Sequence, residues 1–346
     1  MPTVRARATA GPHQPFEPAT IDRREPGPRD VVIDIAYAGI CHSDIHHAHN
    51  DYGKTRFPLV PGHEIAGTVA GVGADVTAFA VGDRAGVGCM IESCGRCDHC
   101  RAGRQQFCVE GYTPTAAGVD RAGRITQGGY SRSIVVDETF VLRIPDALPL
   151  RNAAPLLCAG ITLYSPLRHW QAGPGKRIAL LGFGGLGHIG VQLSSALGAH
   201  TTVLDLSLDK RDDGLRLGAD DYVATTNDSL FTDLASSFDL ILCTVPVNLD
   251  LDRYLGLLAA NGTWVNIGVP EKPFTISPFT LLRNRRSMAA SLIGGVTETQ
   301  EMLDFCAEHG IGAEVEVIDG DRIDEAYERV LRGDVRYRFV LDATTL

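Results

Sequence analysis

Cys94-Gly95-Arg96-Cys97-Asp98-His99-Cys100, followed by Cys108, gathers four thiols into one short span. Four thiolates at that spacing can surround one tetrahedral zinc completely and leave no position for a substrate. A closed site of this kind is structural. It would hold a loop, Glu92 to Glu110, with too few apolar residues to stay folded by packing. A set of reactive redox thiols is the competing reading, and the spacing favours the metal. His99 lies inside the lobe, but the cysteines already complete the shell. A second constellation is dispersed. Cys41-His42-Ser43-Asp44-Ile45-His46 is polar and reactive at every place but one, and Pro61-Gly62-His63-Glu64 follows downstream. Cys, His, Glu and Asp are the side chains that bind zinc or orient its ligands. Either fragment alone reads equally as a polar loop; together they suit a catalytic metal whose distant ligands are gathered by folding.

The third chemical signal runs from Arg177 to Leu197. Ile178-Ala179-Leu180-Leu181 reads as a strand buried on both faces. Gly182-Phe183-Gly184-Gly185-Leu186-Gly187 follows at once, and a mostly apolar helix then runs to Leu197, where Gly198 ends it. Between strand and helix, the first glycine makes the turn and the second lets backbone approach a pyrophosphate. The helix N-terminus offers its unpaired N–H groups to that anion. The next strand, Thr201 to Leu204, ends on Asp205, where an acid meets the adenosine ribose. Glycines 182, 184, 185 and 187 with Leu186 are therefore candidate cofactor contacts.

These residues need elements to position them. Val31 to Tyr37, Ile65 to Val69 and Ser133 to Val136 read as strands separated by Gly- and Pro-rich turns, which suggests a compact antiparallel β-rich domain. From Arg177 to Ile293 strands alternate with helices, the pattern of a parallel sheet: Asp221–Ala224, Phe238–Cys243, Gly262–Gly268 and a sixth strand over Ser287–Ile293. Cys243 and Cys306 sit in apolar surroundings and read as core. The tail reads as a charged helix from Ile323 and a strand over Tyr337–Leu341.

The chain has 346 residues, a net charge of -10 and nine cysteines. Such a length suggests about two domains. The acidic balance argues against nucleic acid or an anionic membrane as partner. No apolar run reaches membrane-spanning length and the N-terminus lacks a signal-peptide h-region, so the expected location is the cytoplasm. An odd cysteine count, mostly in metal-like spacings, argues against a disulfide framework.

Taken together, Cys-His-Ser-Asp-Ile-His at 41–46, Pro-Gly-His-Glu at 61–64, the four-cysteine lobe, Leu157-Cys158-Ala159-Gly160-Ile161-Thr162-Leu163-Tyr164-Ser165-Pro166 and the glycine motif resemble the zinc-dependent medium-chain alcohol dehydrogenases, and most closely their cinnamyl alcohol dehydrogenase-like branch. The likeness covers nearly the whole chain. It implies an α/β protein with a GroES-like β-rich catalytic domain (1–157, with 295–346 returning to it) and a Rossmann doubly wound cofactor domain (158–294), with the active site in the cleft between them. It also implies two zincs: a catalytic one on Cys41, His63 and Cys158, and a structural one on Cys94, Cys97, Cys100 and Cys108. Without the resemblance, Cys158 would read as a buried core thiol.

The implied reaction is hydride transfer between a nicotinamide cofactor and a primary alcohol or aldehyde, aromatic or medium-chain, with three protein ligands leaving one zinc position open for the substrate oxygen. By the family pattern Ser43 takes the substrate proton, which leaves through the nicotinamide ribose and His46, with Asp51 assisting. Each has a plainer alternative: Ser43 caps a turn, His46 is surface, and Asp51 beside Gly53 serves only the turn. Asp44 is expected behind His63, accepting its second N–H. Glu64 either ligates zinc transiently or balances charge. His42 and Thr162 are expected at the pyrophosphate and the nicotinamide, and His47 and His49 face solvent. Tyr52, Cys89, Tyr112, Leu292 and Ile293 are candidates for the pocket wall. At Leu204-Asp205-Leu206-Ser207 the chain departs from the branch, which carries a serine-containing loop for the 2′-phosphate of NADP. Asp205 favours NAD, with Lys210 and Arg211 close enough to soften the discrimination and leave NADP possible. The edge strand predicts a homodimer through the cofactor domains. A zinc- and dinucleotide-binding redox sensor without turnover is the alternative function, and the intact Cys41, His63, Cys158 and Ser43 set argues against it. A zinc-free quinone reductase is disfavoured by both metal constellations.

Overall fold

A computed structural model describes residues 2–346. They divide into two compact units, one running to Ile161 and resuming at Gly294–Leu346, the other Thr162–Ile293. Cys158 therefore belongs to the first unit, not, as drawn from the sequence, to the segment 158–294.

The first unit opens with an antiparallel ribbon of β1 (Thr3–Thr9) and β2 (Phe16–Asp22). Its main sheet contains β3 (Asp30–Gly39), β4 (Ile65–Val72), β5 (Arg84–Val87), β8 (Ser133–Asp137), β9 (Leu142–Arg143), β16 (Val315–Ile318) and β17 (Arg338–Asp342). The order is β16-β17-β3-β4-β5-β9, with β8 also paired to β3. Strand β3 is its axis because Val31, Ile33 and Ile35 recur at a spacing of two and bury one face. A small pair, β6 (Met90–Glu92) with β7 (Thr113–Pro114), brackets the cysteine lobe. The tail folds as the helix and strand its pattern suggests, and it joins this unit, as the family likeness implies: Ile323, Ala326 and Tyr327 form the buried stripe of the helix Ile323–Leu331, and β17 pairs with β3. This is the GroES-like arrangement.

The second unit holds β10 (Arg177–Leu181), β11 (His200–Asp205), β12 (Asp221–Ala224), β13 (Phe238–Cys243), β14 (Leu258–Asn266) and β15 (Ser287–Ala290), all parallel, in the order β12-β11-β10-β13-β14-β15. That is the doubly wound Rossmann order, which reverses direction between β10 and β13. Ile178 to Leu181 are buried on both faces, as a central parallel strand requires. The sixth strand is shorter than the sequence suggests: the strand ends at Ala290, the Ser291 N–H makes one last bond to the Asn266 carbonyl at 3.1 Å, and residues 292–295 leave the ladder. Apolar Leu292 and Ile293 extend the pattern past that last hydrogen bond. No helix among the described residues is long and apolar enough to cross a membrane.

The glycines after β10 have separate jobs. Gly182 takes φ 98°, a left-handed turn that favours glycine. A Cβ on Gly187 would lie 2.0 Å from the Gly182 carbonyl oxygen, so only glycine lets the helix Gly187–Ala196 start this close to the strand. A Cβ on Gly184 would meet nothing within 4 Å. Gly187→Ala is therefore expected to lower the thermal midpoint, with a cost of about 1–3 kcal/mol for forced overpacking. Gly184→Ala should melt within about 0.5 kcal/mol of wild type. Equal midpoints for the two variants would overturn this division of roles.

Candidate active site and metal clusters

The helix His42–His49 begins where β3 ends, and its N-cap is Cys41. Asp44, in the first turn, sends its carboxylate back: Oδ2 accepts the Cys41 N–H at 3.0 Å, a reciprocal cap on the helix start. Oδ1 of the same group accepts the Gly62 N–H at 2.9 Å and lies 3.0 Å from His63 Nδ1. One buried carboxylate thus ties the segment carrying Cys41 to the segment carrying His63, and bonding Nδ1 leaves Nε2 as the free ligand nitrogen. Gly62 sits at φ 102°, and a Cβ there would meet the Gly129 nitrogen at 2.8 Å, so the turn that delivers His63 requires glycine.

Ligand atoms of Cys41, His63, Glu64 and Cys158 all lie within 4.8 Å of one another. Cys158 lies between two helical segments, just before the helix Ala159–His169. Its thiol hydrogen bond to Cys41 lowers the Cys41 pKa well below the usual thiol range against burial, with His63 adding to the effect, and the same contact raises Cys158. Burial works against charge on His63, but Asp44 outweighs it and raises the imidazole. Glu64 is fully buried; burial pushes its carboxyl up to about 7 while Arg338 pulls the other way. Arg338, on β17, donates to Glu64 Oε1. Glu64 Oε2 has no hydrogen-bond partner among the described residues, and Gly39 makes room for it, since a Cβ there would fall 1.9 Å from that oxygen. A donor set of two sulfurs, one imidazole and an unsatisfied carboxylate oxygen fits zinc in chemistry and in reach.

Sulfurs of Cys94, Cys97, Cys100 and Cys108 also converge within 4.8 Å. A tetrahedral zinc with Zn–S of about 2.3 Å would set its sulfurs about 3.8 Å apart, and Cys94 Sγ stands 3.8 Å from Cys100 Sγ. The Cys97 N–H points at Cys94 Sγ and the Cys94 N–H at Cys108 Sγ, both at 3.4 Å. Backbone N–H groups of Cys100 and Val109 bring Cys97 down to about 6, whereas burial pushes Cys100 up to about 11. The N–H donors favour thiolate, the form a metal binds. His99 stays outside the cluster, and none of the nine cysteines is disulfide-bonded.

Ser43 and His46 lie on the helix after Cys41, both half-buried, and His46 Nδ1 is 2.7 Å from Asp51 Oδ2. His42 is exposed at the helix start. His47 and His49 are half-buried rather than solvent-facing: the His47 ring meets Tyr52 at 5.2 Å and the His49 ring meets His13 at 4.1 Å between centroids. Tyr52 is exposed, while Cys89 and Tyr112 are half-buried in the same unit. In the second unit Thr162 is buried, Leu292 is exposed and Ile293 buried. Asp205 closes β11, with Oδ2 accepting from the Tyr222 hydroxyl at 3.0 Å and Oδ1 facing the Phe183 N–H at 3.4 Å; Lys210 Nζ donates to the Phe183 carbonyl at 3.3 Å. Asp205 and Lys210 therefore both bear on the glycine loop. Sequence reasoning missed Arg338, whose one signal was a lone cation in the apolar run Tyr337–Leu341, and it missed the contact of His13 with His49.

A GroES-like unit holding a Cys–His–Cys cluster and a four-cysteine lobe, with a Rossmann unit in the same chain, defines the zinc-dependent medium-chain dehydrogenases. The family model "Alcohol dehydrogenase GroES-like domain" matches residues 27–146 and "Zinc-binding dehydrogenase" matches residues 185–308. NADP-dependent alcohol dehydrogenase C 1 of Mycolicibacterium smegmatis is 57% identical over 347 residues, covering 100% of this chain and 99% of its own. A cinnamyl alcohol dehydrogenase from Sorghum bicolor superposes with TM-score 0.96 at 38% identity, covering 99% of this chain and 98% of its own. The Helicobacter pylori cinnamyl alcohol dehydrogenase, complexed with NADP(H), gives TM-score 0.93 at 39% identity over 99% of this chain and 98% of its own. The chain belongs to the zinc-binding alcohol dehydrogenase family, on its cinnamyl alcohol dehydrogenase-like branch.

Proposed function

We propose that this protein interconverts primary alcohols and aldehydes, aromatic or medium-chain, at the cluster of Cys41, His63 and Cys158, with hydride exchanged with a nicotinamide dinucleotide. The observation that carries the reading is the convergence of those three ligand atoms with Glu64, with Ser43 in the first turn of the helix that Cys41 caps. A zinc held by Cys41, His63 and Cys158 supplies Lewis acidity toward the substrate oxygen. Cys94, Cys97, Cys100 and Cys108 hold a second, structural zinc. Ser43 Oγ holds the hydroxyl proton that the alcohol gives up. His46 bonds Asp51 through Nδ1, so its Nε2 is the free nitrogen that takes a proton and releases it to solvent. Asp44 keeps His63 in its ligating tautomer, and Arg338 balances the Glu64 charge. Glycines 182, 184, 185 and 187, with Leu186, cradle the pyrophosphate, aided by His42; Thr162 contacts the nicotinamide. Unpaired cysteines throughout support a cytoplasmic location.

For the cofactor, the Mycolicibacterium smegmatis relative is named NADP-dependent and the Helicobacter pylori structure holds NADP(H), and they do not support NAD over NADP. What supports NAD here is a carboxylate at the end of β11, where ribose hydroxyls would be accepted and a 2′-phosphate would meet like charge. Lys210 Nζ donates to the Phe183 carbonyl at 3.3 Å, on the same residue whose N–H faces Asp205. For assembly, β15 closes one side of its sheet, and Phe279 and Leu282 in the same unit are 80% and 71% exposed. A second copy of the chain is the partner that such an edge and apolar surface suit.

Purified enzyme should reduce benzaldehyde or cinnamaldehyde at the expense of a reduced nicotinamide. Ser43→Ala should lower kcat roughly a hundredfold or more with zinc content and dinucleotide binding unchanged; near-normal turnover would show that the proton leaves by another route. The ratio of kcat/KM for NADH to that for NADPH should exceed one and fall in Asp205→Ser, and a ratio below one in wild type would refute the NAD assignment. Sedimentation at micromolar concentration should give a dimer, and a monomer would remove that claim.

A further inference from the structure

Beyond the two zinc clusters, a third set of metal-ligating side chains converges among the described residues. His13, His49 and Asp51 each offer a ligand atom, and these atoms lie within 4.8 Å of one another. They come from two segments far apart in sequence. His13 lies in the turn between β1 and β2; His49 is the last residue of the helix His42–His49, and Asp51 follows the helix C-cap Asn50. Backbone holds them together: the His13 N–H donates to the Ala48 carbonyl at 3.4 Å, and the Asp51 N–H returns to the His46 carbonyl at 3.0 Å. Asn50 turns the chain with φ 61°, and His13 itself sits at φ 57°, a left-handed conformation uncommon for a residue with a side chain. The two imidazoles are 4.1 Å apart between centroids and tilted by 31°.

Two imidazoles and one carboxylate suit borderline transition ions better than Mg2+ or Ca2+, which prefer an all-oxygen shell. We propose that His13, His49 and Asp51 form a third, surface metal site, selective for Zn2+ or Ni2+, whose filling slows turnover through Asp51. The link is direct, because the same carboxylate bonds His46 Nδ1 at 2.7 Å. A divalent ion on that carboxylate competes with His46 for it, so the His46 ring loses the contact that fixes its orientation. This second half rests on the proton route given above; the binding half does not.

The test uses enzyme already carrying its full complement of zinc, and Zn2+ as the probe, so that exchange with resident metal changes nothing. Calorimetry on wild type should detect one additional equivalent at micromolar Zn2+, and turnover should fall over the same range. His13→Ala and His49→Ala should bind that equivalent at least about tenfold more weakly, with ordinary turnover that micromolar Zn2+ no longer depresses. Wild type without an additional equivalent below millimolar Zn2+, or with binding unchanged in His13→Ala, overturns the site. Binding that is lost in the variants while wild-type turnover never responds overturns the coupling through Asp51. Asp51→Asn with normal turnover, measured without added Zn2+, would instead refute the proton route, so the two failures are distinguishable.

Discussion

The Asp44 carboxylate is the constraint on which the cluster of Cys41 and His63 depends. It accepts from the Cys41 and Gly62 backbone and meets the His63 ring, so it positions two candidate ligands from two segments at once. Three hydrogen bonds to one buried charge are also what make that burial tolerable, since an unpaired carboxylate in the same place would cost several kcal/mol. A polar residue commits the helix start and the His63 turn to one geometry here. Apolar packing in the same space would be satisfied by several.

Behind that cluster sits a second buried charge pair. Glu64 and Arg338 are both out of solvent, and they join the start of β4 to a strand contributed by the far end of the chain. Such a pair is weak evidence for added stability, because desolvation offsets the attraction, yet removing one partner strands the other at a cost of about 3–5 kcal/mol. Glu64 is only half satisfied: Oε1 has the guanidinium, and Oε2 has no hydrogen-bond partner among the described residues. The C-terminal return is therefore electrostatic as well as architectural. It supplies the cation that lets a carboxylate remain beside two thiols.

In the dinucleotide-binding unit the equivalent constraint is steric. Gly182 and Gly187 are set by the chain's own backbone and neighbours, whereas Gly184 faces open space on the protein side. That open space is what supports the proposed place of Gly184 at the pyrophosphate, since the fold itself does not require glycine there. Asp205 belongs to both descriptions, closing β11 while hydrogen-bonding toward the loop that Phe183 begins.

Much of this was legible in the chain because the determining information is local. Four thiols within one short span need only a loop to meet, a glycine triplet between strand and helix needs only its own turn, and the alternation of β3 or the apolar run of β10 needs only the neighbouring residues. Those signals determined the two metal-binding motifs, the doubly wound unit and the β-rich unit. Tertiary structure decided what depends on segments distant in sequence. Residue spacing alone could not bring Cys158 to Cys41 and His63; only the family likeness suggested it. Nothing local to Tyr337–Leu341 says that Arg338 faces Glu64, or that His13 meets His49. The sixth strand ended at Ala290 because strand length is set by the partner's hydrogen-bonding groups, and apolar side chains beyond it carry the same pattern whether or not a partner is there.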